Sequence, residues 1–344
     1  MNNHKAISKQ KVSINKFNIP IINDIRGIAA LSVCLFHFIC SNLFNEYSFT
    51  YIFDFGRKGV QIFFIVSSIV IPLSMIKSNY KIKDFFNFLK IRLTRIEPPY
   101  IVALILGIIY LNIRDYFPGE NNINLSPSIK DIILHLGYLI PFFENSHWIS
   151  KVFWTLAIEF QFYIILALTF PFFFKSKIVT LLIILSVICS SFFFTNPYFF
   201  PYWAPYFGLG IIYALYKSTT ISKFNFILLI ALFSIITYLN QGFLDMIIGL
   251  TTIFIIHFFK NYSNFITRFL GKISYSLYLT HTILGLAIIN FCARNESSLF
   301  LKILILISVI LISIITSYVF WRIIESPSHK FSQKIKNKIY GGKL

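Results

Sequence analysis

The stretch Asn23 to Cys40, NDIRGIAALSVCLFHFIC, constrains this chain more than any other. It has the apolarity of a membrane-spanning helix, which needs about 20 residues. Yet it holds Asp24 and Arg26 near one end and His37 near the other. Ionisable groups in a span are costly unless they face protein or a water-filled cavity, which makes them functional candidates by default. Arg26 and His37 are eleven positions apart, just over three helical turns. They therefore share one face roughly, about 16 Å apart along the axis. That face would set an anion-binding Arg at one mouth of a cavity and a base deeper inside. The alternatives are an Arg26 that snorkels to the lipid surface and a His37 that is a hydrogen-bonded interior residue.

Composition agrees with a membrane-embedded chain. Of 344 residues, 56% are hydrophobic and 13% charged, with 41 Phe and 19 Tyr. The mean hydropathy is +0.72. A soluble domain is about half apolar and a quarter charged. The formal net charge of +18 does not point to nucleic acid, because the charges sit in loops and tails between apolar runs. The four cysteines, Cys34, Cys40, Cys189 and Cys292, lie in or at the ends of apolar runs without a CxxC. They indicate neither a disulfide framework nor a zinc site, and no metal cluster stands out. The polar, basic first twenty residues are followed by a run that lacks a convincing cleavage site, so that run is expected to remain as the first span.

The chain is therefore read as all-α: a polytopic integral membrane helical bundle of about ten transmembrane helices. The spans fall near 21–42, 59–76, 98–113, 153–174, 177–195, 200–216, 222–240, 242–260, 273–293 and 299–324. Segment 132–143 is too short to span and reads as interfacial or re-entrant. Lys and Arg concentrate in the N-terminal tail, the even-numbered loops and the C-terminal tail. The odd-numbered loops carry Glu46 and Asp54, or Asp115, Glu120, Asp131 and Glu144, or little charge. That alternation puts both termini in the cytoplasm and the long loop 114–152 outside. The expected organisation is a cytoplasmic tail at 1–20, a transmembrane domain at 21–325 and a basic cytoplasmic tail at 326–344.

Four further stretches carry candidate chemistry. In Lys90 to Tyr100, KIRLTRIEPPY, Arg92 and Arg95 are three residues apart and share a helix face. They sit at the cytoplasmic mouth of the third span, which Pro98-Pro99 is expected to start. Guanidinium forks bind phosphate oxygens bidentately, although such charges also follow from topology alone. In Val152 to Tyr163, Glu159 lies about six residues from the outer end of its span, and His37 lies about five from its own. At 1.5 Å per residue the two share a depth to within a turn. Glu159 would there hold the His37 tautomer, or bind sugar hydroxyls, or be purely structural. In Leu270 to His281, His281 lies mid-span with Tyr275 and Tyr278 a turn apart. Catalysis and polar interior packing both account for it. In Trp321 to Pro327, Glu325 would pair with the cytoplasmic arginines or sit at the interface. There is no GxxxxGK[ST], GxGxxG or GxSxG pattern, so nucleotide hydrolysis is not indicated.

These stretches, in this order, resemble the membrane-bound acyltransferase 3 family of bacterial O-acetyltransferases that act on surface polysaccharides, among them lipopolysaccharide and capsule. The carrying residues are Asp24, Arg26, Gly27, Ala29, Ala30, Phe36 and His37; the run Gly59 to Ser67; Arg92, Arg95, Pro98 and Tyr100; Trp154, Leu156, Glu159, Phe162 and Tyr163; Ser274, Tyr275, Tyr278 and His281; and Glu325 with Pro327. Asn23 stands where Leu is usual, Ser68 replaces a Gly, and Glu97 takes a position more often apolar. The resemblance implies acyl-CoA, acetyl-CoA first, as donor co-substrate, with Arg26, Arg92 and Arg95 on its phosphates. It implies His37 as general base or transient acyl carrier, supported by Glu159. It implies Trp154, Tyr163, Tyr275 and His281 at the substrate, a carbohydrate acceptor at the outer face, and residence in the inner (plasma) membrane. Many relatives carry a further soluble esterase-like domain, so any such partner is expected to be a separate protein. The rival class is a transporter or flippase for a polysaccharide precursor, since polar groups inside a bundle suit that too.

Overall fold

The computed structural model describes residues 17–44, 46–114, 127–292 and 298–341. Residues 1–16 of the expected N-terminal tail, the loop stretch around Asp115 and Glu120, and the last residues of the basic tail lie outside these. The secondary structure of the described residues is helical, without strands. The principal helices are α1 (Ile21–Ile39), α2 (Gly59–Lys77), α3 (Phe85–Arg114), α4 (Ile129–Leu136), α5 (Trp154–Thr169), α6 (Lys177–Phe193) and α7 (Phe200–Lys217). They continue with α8 (Lys223–Gln241), α9 (Phe243–Phe258), α10 (Phe265–Thr280), α11 (Leu286–Cys292), α12 (Leu299–Phe320) and α13 (Ser326–Tyr340).

Each of the ten expected spans is helical. By length and apolarity, seven helical runs among the described residues are fit to cross a membrane: those containing α1, α2, α3, α5, α8, α10 and α12. Two shorter apolar helices, at Ile178–Phe193 and Phe243–Phe258, join them. Helix α7 is different. Every residue from Trp203 to Leu215 is buried, so its surface meets protein rather than lipid. Its Tyr, Trp and Gly residues pack there without needing the hydrocarbon-like surface of an outer helix.

Two expectations change in detail. Pro98 and Pro99 do not start the third span; they lie inside a 30-residue helix that begins at Phe85. Proline removes a backbone donor, so the Thr94 and Arg95 carbonyls lose their usual helical partners. The Tyr275 hydroxyl donates to the next carbonyl, Ile96 O, at 2.9 Å. Residues 326–340 of the expected basic tail form α13, which turns off α12 through a π-turn at Trp321–Glu325 and lies against α3. Ser332 Oγ donates to Ile91 O at 2.7 Å and Lys336 Nζ to Ser74 Oγ at 2.9 Å.

Two close crossings organise the bundle. Helices α1 and α10 run side by side with backbone against backbone: a Cβ on Gly271 would stand 1.9 Å from Asn23 O. Asp24, 1% exposed, clamps this crossing by accepting from Asn264 N at 2.9 Å, Ser263 Oγ at 3.2 Å and Thr267 Oγ1. A carboxylate there also meets the positive end of the α10 dipole. The second crossing joins α2 to α7, where Ser68 fits against Gly210. The starts of α1 and α10 and the end of α12 therefore lie at one end of the bundle. The starts of α2, α7 and α9 meet at the other.

Candidate active site

Arg26 lines three cavities that follow one another into the bundle. The widest, about 530 Å³, is the mouth at the α1–α10–α12 end. Its walls include Arg26, Arg95, Arg268, Lys272, Glu325 and His329. A cavity of about 80 Å³ follows, lined by Arg26, Arg92, Arg95, Glu159, Tyr163 and Tyr275. The third, about 70 Å³, adds Phe63, Thr155 and Tyr278 to Arg26, Ser67, Glu159 and Tyr275. All three expected arginines thus reach one polar interior, although Arg26 comes from α1 and the other two from α3. No carboxylate of the described residues is within ion-pair distance of any of them. Glu159 and Glu325 are near enough to act on Arg26 through space.

Glu159 is held by two donors, Ser67 Oγ at 3.0 Å and Tyr163 OH at 2.6 Å, both on Oε1. Tyr163 follows Glu159 by one turn, so the helix itself places its hydroxyl on the carboxylate. Its ring also lies 5.8 Å from the Arg92 guanidinium, which stands 5.5 Å from the Phe88 ring on its own helix. Both distances are within cation–π range. Glu325 accepts from Ser276 N at 3.2 Å and Ser276 Oγ at 2.6 Å, which ties the π-turn after α12 to α10.

His37 and Glu159 are not paired in this arrangement. Besides its chain neighbour Phe36, the ring beside His37 is that of His281, at 5.3 Å between centroids. Helices α2 and α10 supply the residues between the two candidates: Tyr278 meets Phe63 edge-on at 5.6 Å and lies 6.0 Å from His281. Phe63 and Tyr278 also wall the innermost cavity. Equal depth along two helices did not make the residues neighbours, because depth says nothing of lateral order. His281 is 1% exposed, and its Nδ1 lies 2.9 Å from Leu277 O. A carbonyl only accepts, so Nδ1 carries the hydrogen and Nε2 is the ring's acceptor. That Nε2 is buried and has no hydrogen-bond partner among the described residues. His281 also opens the π-turn His281–Gly285, and such turns concentrate at functional sites.

The expected substrate residues divide between two places. Tyr163, Tyr275 and His281 belong to the interior just described. Trp154 stands at the far end, where it lines a separate cleft of about 470 Å³ and packs against Trp203 at 5.5 Å. The cleft also contains Gln61, Gln241 and Asp245, which the sequence reading passed over. Asp245 was discoverable: it is an acid inside the apolar run of α9, open to the same rule that singled out His37. Ser276 offered no such signal, since serines are common in membrane helices, and Ser67 entered only as the end of the Gly59 to Ser67 run.

An acyltransferase domain family, acyltransferase 3, matches residues 19–322. A protein of Acidianus two-tailed virus, provisionally named an acetyltransferase, is 28% identical over 81% of this chain and 87% of its own length. Proteins of Staphylococcus aureus strains COL and MSSA476, provisionally named O-acetyltransferases, are 27% and 26% identical over 98% of this chain. The chain spans 61% of the length of these staphylococcal relatives. No solved structure matches it. The matched region runs from the turn before α1 to the π-turn after α12 and takes in every cavity residue from Arg26 to Trp321; the chain belongs to the acyltransferase 3 family.

Proposed function

We propose that this membrane acyltransferase moves an acetyl group from acetyl-CoA to a hydroxyl of a lipid-linked or exported carbohydrate at the plasma membrane. The observation that carries the reading is the set of three arginines, free of ion pairs among the described residues, around cavities that lead inward from one mouth. Unpaired guanidinium groups held in place are receptors for phosphate oxygens. The nucleotide end of acyl-CoA brings those oxygens, and a slender acyl-pantetheine arm suits the narrow cavities beyond. The charge pattern of the loops puts this mouth on the cytoplasmic side.

In this mechanism Arg26, Arg92 and Arg95 bind the donor, and Glu159 with Ser67 and Tyr163 fixes the floor on which the arm lies. His37 is the general base. The His281 ring stands 5.3 Å from it, and a nitrogen of His37 takes the acceptor's hydroxyl proton. The freed oxygen attacks the thioester carbonyl, the C–S bond breaks, and the proton passes to the departing thiolate. The products are the carbohydrate ester and free CoA.

The test is transfer of radiolabelled acetyl from acetyl-CoA to cell-envelope glycan, in membranes with wild-type protein or with His37→Ala at matched expression. Loss of general-base catalysis is expected to slow transfer about 10²- to 10⁴-fold. Transfer that survives the substitution would move the base to His281. No transfer from any acyl-CoA, together with saccharide uptake into proteoliposomes without CoA, would replace the enzyme with a transporter.

A further inference from the structure

The cleft at the other end of the bundle has a chemistry of its own. Lys58 Nζ meets Asp245 Oδ2 at 2.6 Å. Asp245 Oδ1 accepts from Gln61 Nε2 at 3.0 Å and from Tyr206 OH at 2.7 Å. Arg57, on the rim, pairs with Asp54 at 3.0 Å. The cationic side chains of this cleft are therefore matched within the protein. What is left over is hydrogen-bond acceptor capacity. Gln61, 5% exposed, and Gln241 each line the cleft, and the buried side-chain Oε1 of each has no donor among the described residues. Each amide is anchored through its nitrogen, Gln61 to Asp245 and Gln241 to Tyr202 O at 2.7 Å. Anchoring of that kind fixes which atom is left over. A buried amide oxygen without a donor carries a desolvation cost that a ligand hydroxyl removes.

Aromatic surface complements these acceptors. Trp154 and Trp203 lie 5.5 Å apart at 31°, and Trp203 Nε1 is already used in a 2.7 Å bond to Pro197 O. Tyr202 stands against Trp203 at 4.9 Å. The Trp203 N–H is thus spent within the protein, and the half-buried Trp154 indole lines the cleft beside it. Flat aromatic faces beside orphan acceptors and internally neutralised charges suit a ring that is apolar on its faces and rich in hydroxyl donors at its edge. Val60 lines both this cleft and the innermost cavity, next to Glu159 and Tyr278. An acceptor seated in the cleft would thus stand one side chain away from the arm of the donor.

Resting on the acyl-transfer reading above, we propose that this cleft is the acceptor site and that it selects an uncharged saccharide, with Gln61 and Gln241 accepting from its hydroxyls and Trp154 with Trp203 as its platform. The probes are two oligosaccharides of equal length, neutral maltotetraose and an anionic tetramer of galacturonate. Each is titrated into the purified full-length protein in detergent, with tryptophan emission as the readout and no CoA present. Saturable quenching by the neutral probe is expected, with the anionic probe weaker. Gln61→Leu and Gln241→Leu are each expected to weaken the neutral probe about five- to tenfold, the loss of one neutral hydrogen bond. Acetyl-CoA binding by the same variants should be unchanged, which also shows that they have folded. Equal neutral-probe affinity in both variants, or preference for the anionic probe, overturns the assignment. Because the titration omits the donor, failure of acetyl transfer with intact saccharide binding would count against the enzyme reading and not against the cleft.

Discussion

The two ends of this bundle treat charge in opposite ways. At the α1–α10–α12 end, Arg26, Arg92 and Arg95 face cavities without an ion-pair partner among the described residues. At the α2–α7–α9 end, Lys58 and Arg57 each have a carboxylate of their own, and it is amide oxygens that lack partners. A cation inside a membrane protein that bonds no carboxylate directly is stabilised by water or a ligand anion that reaches it. A neutralised cleft with spare acceptors has the reverse need. The two ends are thus built for ligands of opposite character, a polyanion and a neutral hydroxyl donor. Between them stand the two histidines, each lacking a carboxylate hydrogen-bond partner among the described residues.

The ends are also held together differently, and the largest expected effect tests that. The cationic end depends on backbone packed against backbone. In Gly271→Ala, the new Cβ would meet Asn23 O at 1.9 Å and Asn23 C at 2.6 Å, neither of which can swing aside. Overpacking of this kind costs about 1–3 kcal/mol and more where backbone must move. Separating α1 from α10 would also loosen the Asp24 clamp and displace Arg26, two residues on. A marked fall in thermal stability is expected, with acetyl-CoA binding lost before saccharide binding. If the melting temperature is unchanged, the crossing is not as tight as described. If both ligands are lost together, the two ends do not form independently.

Next in size is Arg26→Gln. Arg26 is the one side chain common to the mouth and both inner cavities. A hydrogen bond to a charged group contributes about 1.5–3 kcal/mol, which corresponds to about 10- to 150-fold in affinity. The KM for acetyl-CoA is expected to rise in that range while the KM for the glycan stays within about twofold of its wild-type value. Raising salt should weaken wild-type donor binding and leave acceptor binding unchanged, because only the first depends on charge. A parallel rise in both KM values would erase the contrast between the ends.

Much of this was legible in the sequence, for reasons that also mark its limit. Helices follow from apolar run length, and bilayer thickness sets that length, so all ten expected segments appear. The candidates Arg26, His37, Arg92, Arg95, Glu159 and His281 were visible because a charge or an imidazole in a span stands out against its surroundings. What was not legible is which helices touch. Support of His37 was one of three readings of Glu159; the carboxylate bonds Ser67 and Tyr163, because residues of α2 and α10 lie between it and His37. His281 was read as open between catalysis and packing, and it proves to be the ring beside His37. Asp24 stands out in the span for the same reason, but its role, anchoring the start of α10, depends on which helix lies beside it. The cleft at the α2–α7–α9 end was legible only through Trp154, because it gathers residues from four stretches far apart in the chain, 57–61, 154, 197–203 and 241–245.

The smallest expected effect concerns Ser68, which stands where the family pattern has Gly. The structure explains how Ser68 is accommodated. Ser67 and Ser68 turn to different sides of α2. Ser67 donates to Glu159, while Ser68 is fully buried and donates to Ile65 O of its own helix at 2.9 Å. The room for the Ser68 side chain comes from α7, where a Cβ on Gly210 would lie 1.9 Å from Ser68 Oγ. Ser68→Gly should therefore remove only a local hydrogen bond and a few contacts, costing about 1 kcal/mol or less. Acetyl transfer should stay within about twofold of wild type. Gly210→Ala should be far more damaging, and Ser68→Gly should rescue it in part only, because Ile65 O lies 2.4 Å from the same Cβ and remains. A Ser68→Gly variant that folds normally but loses transfer would place this hydroxyl in the chemistry. The polar interior would then extend past Ser67 toward α7, and the boundary drawn here between the cationic cavities and the rest of the bundle would have to move.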